Sequence, residues 1–323
     1  MRFALRRAGQ AAIVIVAVAT LAFVLIHLAP GDPFPTALDD PSLTDAVRAR
    51  LRAQFGFDRP LFEQYLRFLW NYLRGDFGWS VARNMPVATA IADALPRTVL
   101  LMATGLVAGT AGGVALGTWQ AARRGSGAER LVGLGAVVVY AVPEFLLAMG
   151  MIALFALRLR WFPMSGIVDA RSHDALGAAG RAADVLRHLA LPAATLALVV
   201  AASVSRYHRA AMLAVLPEDY IRTARAKGLS ERDVVLRHAL PNAMGAVLAL
   251  GGLLIPALFG GAAVIEKFFD WPGMGRLMFN AALGRDYHLV VAGVVLSGAI
   301  VAAGTAFADV AAAAFDPAQE LDA

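Results

Sequence analysis

Six stretches of the chain are apolar for long enough to cross a bilayer, or nearly so, and polar segments of very different lengths separate them. They cover roughly residues 8–29, 98–121, 131–157, 189–205 with a continuation, 243–265 and 289–314. About 20 apolar residues of helix span the hydrocarbon core. Inside lipid the backbone has to satisfy its own hydrogen bonds, so such spans are helices. The pattern predicts an all-α membrane protein, a bundle of six transmembrane helices.

The first stretch follows basic residues, and "AVA" at Ala17–Ala19 mimics a signal-peptidase site. A cut there would leave an apolar core of only about seven residues, the lower limit for a secretory signal. The segment therefore reads as an uncleaved first helix. Arg2, Arg6 and Arg7 put its N-terminus in the cytoplasm, and Arg123, Arg124 and Arg130 mark the next inner loop. The loop from Arg158 to Arg187 also carries arginines, but Asp169, Asp174 and Asp184 accompany them.

Between the first two spans lies a long polar region with helical periodicity of its own. Ser42 with Asp45 forms a capping box ahead of Val47, Leu51 and Phe55, and Gly56 can end that helix. A second amphipathic helix runs from Pro60 with Leu61, Tyr65, Leu69, Tyr72 and Leu73 on one face, ending before Gly75. Both are expected on the outer membrane surface or packed over the bundle. In the second span Gly105, Gly109, Gly113 and Gly117 recur every four residues, a face that lets a neighbouring helix approach closely.

The stretch "DYIRTARAKGLSERDVVLRHALPN", Asp219 to Asn242, is basic and lies between two spans. Tyr220 to Lys227 can form a short helix that Gly228 terminates in the left-handed conformation. Ser230 and Asp233 start another, and Pro241 limits it. Helix, corner and helix make a rigid lateral projection. An amphipathic segment lying flat on lipid would not need a glycine corner, so docking of a cytoplasmic partner is the better reading.

Composition narrows the chemistry. The chain is 59% apolar and 16% charged, against roughly 45–50% and 25% for soluble domains. Its charge of +5 fits anionic headgroups, and the apolar excess argues against nucleic acid. There is no cysteine, which removes disulfides, thiolate metal sites and a cysteine nucleophile. Lys227 and Lys267 are the only lysines, and neither sits in a P-loop. Any ATP chemistry must therefore belong to another polypeptide. The six histidines show no HExxH or paired spacing, so no metal site is expected. "DFG" at Asp76–Gly78 lacks every other kinase element and reads as a turn.

The insert resembles the cytoplasmic EAA motif of ABC importer permeases. Arg222, Thr223 and Ala224 fall at the E-A-A positions, Gly228 at the glycine, and His238, Leu240 and Pro241 at I-x-L-P. Its wording is similar to the version found in dipeptide, oligopeptide and nickel importer permeases. "HLAPGDP" at His27–Pro33, "DRPLFEQYLRFL" at Asp58–Leu69, "RGDFGWS" at Arg74–Ser80, "FDWPGMGRL" at Phe269–Leu277 and "RDY" at Arg285–Tyr287 agree in order. Two features depart: Ala318 stands where the family's terminal D-P-R has arginine, and His288 where a proline usually follows "RDY".

The resemblance implies a six-helix permease of the type I importer kind, with an extracytoplasmic helical insert after the first helix. Residues 1–96 would hold the first span and that insert, 97–315 the five-helix core with coupling helices at 219–241, and 316–323 a short cytoplasmic tail. It implies a bacterial or archaeal cytoplasmic membrane. It also implies a similar second permease, two ABC ATPase subunits that bind ATP and magnesium, and an extracytoplasmic solute-binding protein. No cofactor is expected on this chain. Asp219, Tyr220, Arg222, Thr223, Ala224, Arg225, Lys227, Gly228, Leu240 and Pro241 would couple to the ATPases.

Glu144, near the middle of the third segment, and Glu266, before "FFDWPGMGRL", are candidates for the translocation pathway. A structural hydrogen bond and a stabilised re-entrant turn are the competing readings. A secondary transporter or a membrane-embedded hydrolase remains the alternative class; no convincing repeat and no GxSxG supports either.

Overall fold

The computed structural model describes residues 2–28, 59–80 and 82–315. The helix expected around Ser42–Phe55 and the tail at 316–323 lie outside the described residues. In chain order the elements are α1 (Arg2–Leu28), α2 (Leu61–Leu73), β1 (Trp79–Ser80), β2 (Met85–Pro86), α3 (Val87–Ala122) and α4 (Gly127–Ala141). There follow α5 (Glu144–Met151), a π-helical turn at Ile152–Arg158, and α6 (Ala178–Val215). Then come α7 (Asp219–Ala226), α8 (Glu231–Asp233), a second π-helical turn at Val234–Ala239, α9 (Leu240–Phe268), α10 (Met274–Leu283) and α11 (Tyr287–Phe315). Among the described residues four helices are long and apolar enough to cross a membrane, or five if α4 and α5 with its π turn form one bent span.

Two compact units divide the chain, one made of residues 5–96 with 277–303, the other of 97–276 with short terminal pieces. In the first, the amphipathic helix α2 packs on α1. Ala19, Ala22 and Ile26 of α1 form a core with Val291 and Val295 of α11, and Phe68, Leu69 and Tyr72 of α2 close over it. The rings of Phe23 and Phe68 lie 5.4 Å apart, and the hydroxyls of Thr20 and Tyr65 share a 2.7 Å hydrogen bond. Of the apolar face read from the sequence, Tyr65, Leu69 and Tyr72 are half-buried in this unit while Leu61 and Leu73 stay exposed, and Gly75 lies in the left-handed region just after the helix.

Two of the motifs meet in this unit. Ser80 Oγ donates to Asp286 Oδ2 at 2.5 Å across 206 residues of sequence, and both side chains are buried. Asp286 Oδ1 also accepts the Leu289 N–H, capping α11. A side chain on Gly78 would collide with the His288 ring, 2.8 Å from the Cβ position. "DFG" follows the turn at Arg74–Gly75, its Gly78 N–H bonded to Asp76 Oδ1 at 3.1 Å, and leads into a small antiparallel ladder, Trp79 opposite Pro86 and Ser80 opposite Met85.

The second unit is built on α3 from Arg97 onward and on α6. Cβ atoms added to Gly105, Gly109 and Gly113 would lie 2.8, 2.6 and 2.6 Å from the Cβ atoms of Leu196, Val200 and Val204. At Gly117 the Ser205 carbonyl is 2.8 Å from that position. Both sequences advance by four residues together, so the helices run parallel, backbone close to backbone, and the stripe is a packing face inside this chain. Leu101, Leu196, Val200, Val204, Ile265, Phe269 and Trp271 form the core behind it.

One expected element divides. The third segment is not a straight helix over 131–157. It breaks after Ala141, and the limbs on either side differ in direction by 108°. Val142 is extended (φ −75°, ψ 129°), the conformation that Pro143 favours in the residue before it. Glu144 consequently opens the second limb instead of sitting in mid-helix.

Candidate functional site

The insert between α6 and α9 is ordered from its base upward. Ile221 and Ala224, three residues apart on α7, are 0% and 5% exposed. They join Val234, Val235 and Ala239 of the second arm, with Ala121, Met212 and Ala243, in one apolar cluster. Burying an isoleucine alone contributes about 2 kcal/mol. Asp219, Tyr220, Arg222, Thr223 and Lys227 face outward. Ala224, expected among the contact residues, instead belongs to the base.

Gly228 forms the corner at φ +76°, with open space where a Cβ would be. The glycine is needed for its conformation and not for clearance. Arg225 braces the turn: its Nε lies 2.7 Å from Glu231 Oε1, and its Nη1 donates to the Leu216 carbonyl at 3.4 Å. Ser230 caps α8 by accepting the Asp233 N–H at 3.1 Å. Its hydroxyl, 2.6 Å from Asp233 Oδ2, holds that carboxyl below its usual range, helped by Arg237, Arg232 and His238. Desolvation and Glu218 push the Tyr220 phenol up, so it stays a neutral hydroxyl.

The second arm differs from the expectation in one respect. Pro241 does not limit the helix; the chain passes through it into α9. The Leu240 N–H reaches back five residues to the Val235 carbonyl. This wider π turn just before Pro241 gives room where an α-helical turn would force the proline ring against the carbonyl four residues earlier.

Charge on the insert is largely satisfied internally. Arg222 pairs with Asp219 and Arg237 with Asp233, both at 3.2 Å. Among the described residues Lys227 and Arg232 have no carboxylate partner, leaving two exposed cations available to another molecule.

Glu266 is the acceptor at the centre of a separate buried knot. Thr98 Oγ1 donates to Glu266 Oε1 at 2.5 Å and accepts the Met274 N–H at 2.7 Å, while the Arg276 N–H reaches Glu266 Oε2 at 3.1 Å. Trp271 Nε1 donates to the Arg97 carbonyl at 3.0 Å. A Cβ on Gly273 would sit 2.2 Å from Glu266 Oε1. The "FDWPGMG" segment therefore wraps a fully buried carboxylate. Thr98, a partner of both, carried no signal in the sequence.

Glu144 is half-buried. Its Oε2 lies 2.4 Å from where a Cβ on Gly261 would be, so the carboxylate rests on the bare backbone of α9. It lines a cavity of about 490 Å³ with Tyr140, Ser203 and Tyr207. The structure does not bring Glu144 and Glu266 into one site: they occupy separate environments within this unit.

The family profile described as "Binding-protein-dependent transport system inner membrane component" matches residues 113–320, and the profile of its N-terminal region matches residues 1–102. The oligopeptide transport system permease protein AppB of Bacillus subtilis is 35% identical over 98% of both chains. The glutathione transport system permease protein GsiC of Escherichia coli K12 is 38% identical over 86% of both.

Proposed function

The chain belongs to the binding-protein-dependent transport system inner membrane components, and from that premise we propose how it works. It is a permease subunit of an ABC importer, a transporter component and not itself an enzyme. Its cargo is a peptide or a related solute such as glutathione, and alternating access carries it across the cytoplasmic membrane. The secondary-transporter and hydrolase readings are not favoured.

The rigid insert carries the coupling assignment. Two arms seated on a common apolar base, cornered at Gly228 and tied by Arg225 to Glu231, move as one piece when pushed. Residues 219–241 dock on a cytoplasmic ATPase. Asp219, Tyr220, Arg222, Thr223 and Lys227 supply the surface, Arg225 and Gly228 hold the corner, and Ala224, Leu240 and Pro241 seat and aim the arms. ATP and magnesium reside on two such ATPases. A second permease and an extracytoplasmic binding protein complete the importer.

The bundle has six spans with a cytoplasmic N-terminus. The parallel course of α3 and α6 supports that count, because the chain must return once between them and the bent α4–α5 pair is the segment available. The amphipathic helix α2, which follows the first span, belongs to the extracytoplasmic insert. Residues 97–315 form the transport core, and 316–323 the cytoplasmic tail. Glu144 borders the pathway at the break between α4 and α5, and Glu266 fixes the segment that shapes its outer end.

Reconstitution with candidate ATPases, a sister permease and a binding protein tests the assignment. A loaded binding protein is expected to stimulate ATP hydrolysis; failure of the chain to copurify with any ATPase would sink it. Transport by Glu144→Gln equal to the parent across pH would remove Glu144 from the pathway.

A further inference from the structure

Where α3 ends and α4 begins, a cavity of about 700 Å³ opens toward α6. Gln120, Arg130, Arg206 and Arg209 line it, with Leu134 and Val137 on one wall. Arg209 Nη2 pairs with the buried Glu129 at 2.7 Å, yet its buried Nε–H has no acceptor. Gln120, 1% exposed, lines the same cavity. A Cβ on Gly133 would lie 3.9 Å from Gln120 Nε2, so this part of α4 passes directly beside the amide.

Three guanidinium groups face one carboxylate in this cavity. Arg206 lies over the Tyr140 ring at 5.2 Å, and neither it nor Arg130 has a carboxylate partner among the described residues. Water could take the free N–H bonds but would leave the positive charge uncompensated; an anion does both. The Arg209 Nε–H is the buried donor left without a partner here, a feature uncommon in folded proteins and costing about 1–3 kcal/mol.

The walls say what kind of anion fits. The site sits within a few residues of the Arg123–Ser126 turn that ends a long apolar helix, which is headgroup depth for a spanning chain. From it an exposed apolar strip, Leu131 at 71%, Leu134 at 62% and Val138 at 52%, runs along α4 into the apolar zone. We propose that this cavity binds the phosphate headgroup of an anionic phospholipid, held by Arg130, Arg206 and the Gln120 amide, with an acyl chain along that strip. Free inorganic phosphate shares the headgroup chemistry but has no use for the strip.

The test uses the full chain purified from discs containing phosphatidylglycerol and phosphatidylcholine, with retained lipid counted by native mass spectrometry. The expected result is selective retention of phosphatidylglycerol that falls at least tenfold in Arg206→Gln and in Arg130→Gln. Thermal unfolding in neutral detergent should stay at the parent's, since both side chains are exposed. Leu134→Gln should weaken phosphatidylglycerol retention, and millimolar inorganic phosphate should not displace the lipid. Equal retention of both lipids, or phosphatidylglycerol retention unchanged in both arginine variants, would overturn the proposal. Displacement by inorganic phosphate, with Leu134→Gln indifferent, would assign the site to free phosphate instead.

Discussion

Arg225 and Glu231 lie on opposite sides of the Gly228 corner, and their 2.7 Å ion pair joins the two arms of the insert. The pair is exposed, so it adds at most about 1 kcal/mol to stability. Its expected importance is stiffness. Arg225→Ala should leave assembly and unfolding temperature nearly unchanged while lowering substrate-stimulated ATP hydrolysis several-fold. Exchanging the two charges should restore part of the loss.

Thr98 links Glu266 to the Met274 backbone, donating to one and accepting from the other. Thr98→Val strands both partners in a dry site, and each lost partner costs about 1–3 kcal/mol. Thr98→Ser keeps the hydroxyl and should unfold close to the parent. Thermal unfolding in detergent separates the two.

Gly109 and Gly112 are neighbours on α3 that differ in what they face. A Cβ at Gly109 meets Val200 Cβ at 2.6 Å and the Ala197 carbonyl at 2.8 Å, whereas at Gly112 the nearest atom is 3.9 Å away. Gly109→Ala is expected to cost about 1–3 kcal/mol through overpacking, with Gly112→Ala neutral or slightly stabilising. Equal melting temperatures would contradict the close parallel packing of α3 on α6.

Asp233 titrates below its ordinary value of 3.8 because Ser230 and the neighbouring cations favour the carboxylate. A depressed folded value means its contribution is fully present above pH 3.8 and is lost as pH falls through the lower folded value. Hydrogen exchange at the insert should therefore be insensitive to this group from pH 5 to 8 and rise only in strong acid. Asp233→Asn should abolish that acid-side increase.

Much of this architecture is local and so was legible. The apolar runs, the amphipathic period from Leu61 to Leu73, the corner at Gly228, the cap at Ser230 and the glycine stripe are each set within a few residues. Pro143 carried a readable break, yet the apolar run continues past it and hides the 108° bend. The π turns at Ile152–Arg158 and Val234–Ala239 have no composition that distinguishes them from α-helix. Ser80 with Asp286, and Thr98 with Glu266, are paired across 206 and 168 residues. Motif wording marked Ser80 and Asp286, and Glu266 stood out as a carboxylate beside a motif, without showing which partner each would take.

The coupling account is tested most directly at Gly228 in the reconstituted importer. Its φ of +76° with no neighbouring atom makes Asn tolerable and Val costly for conformational reasons alone. Substrate-stimulated ATP hydrolysis should fall at least tenfold in Gly228→Val and stay near the parent in Gly228→Asn, with both variants still assembled. Full stimulation and uptake in assembled Gly228→Val would contradict the assignment of residues 219–241 as the element that couples ATP to transport.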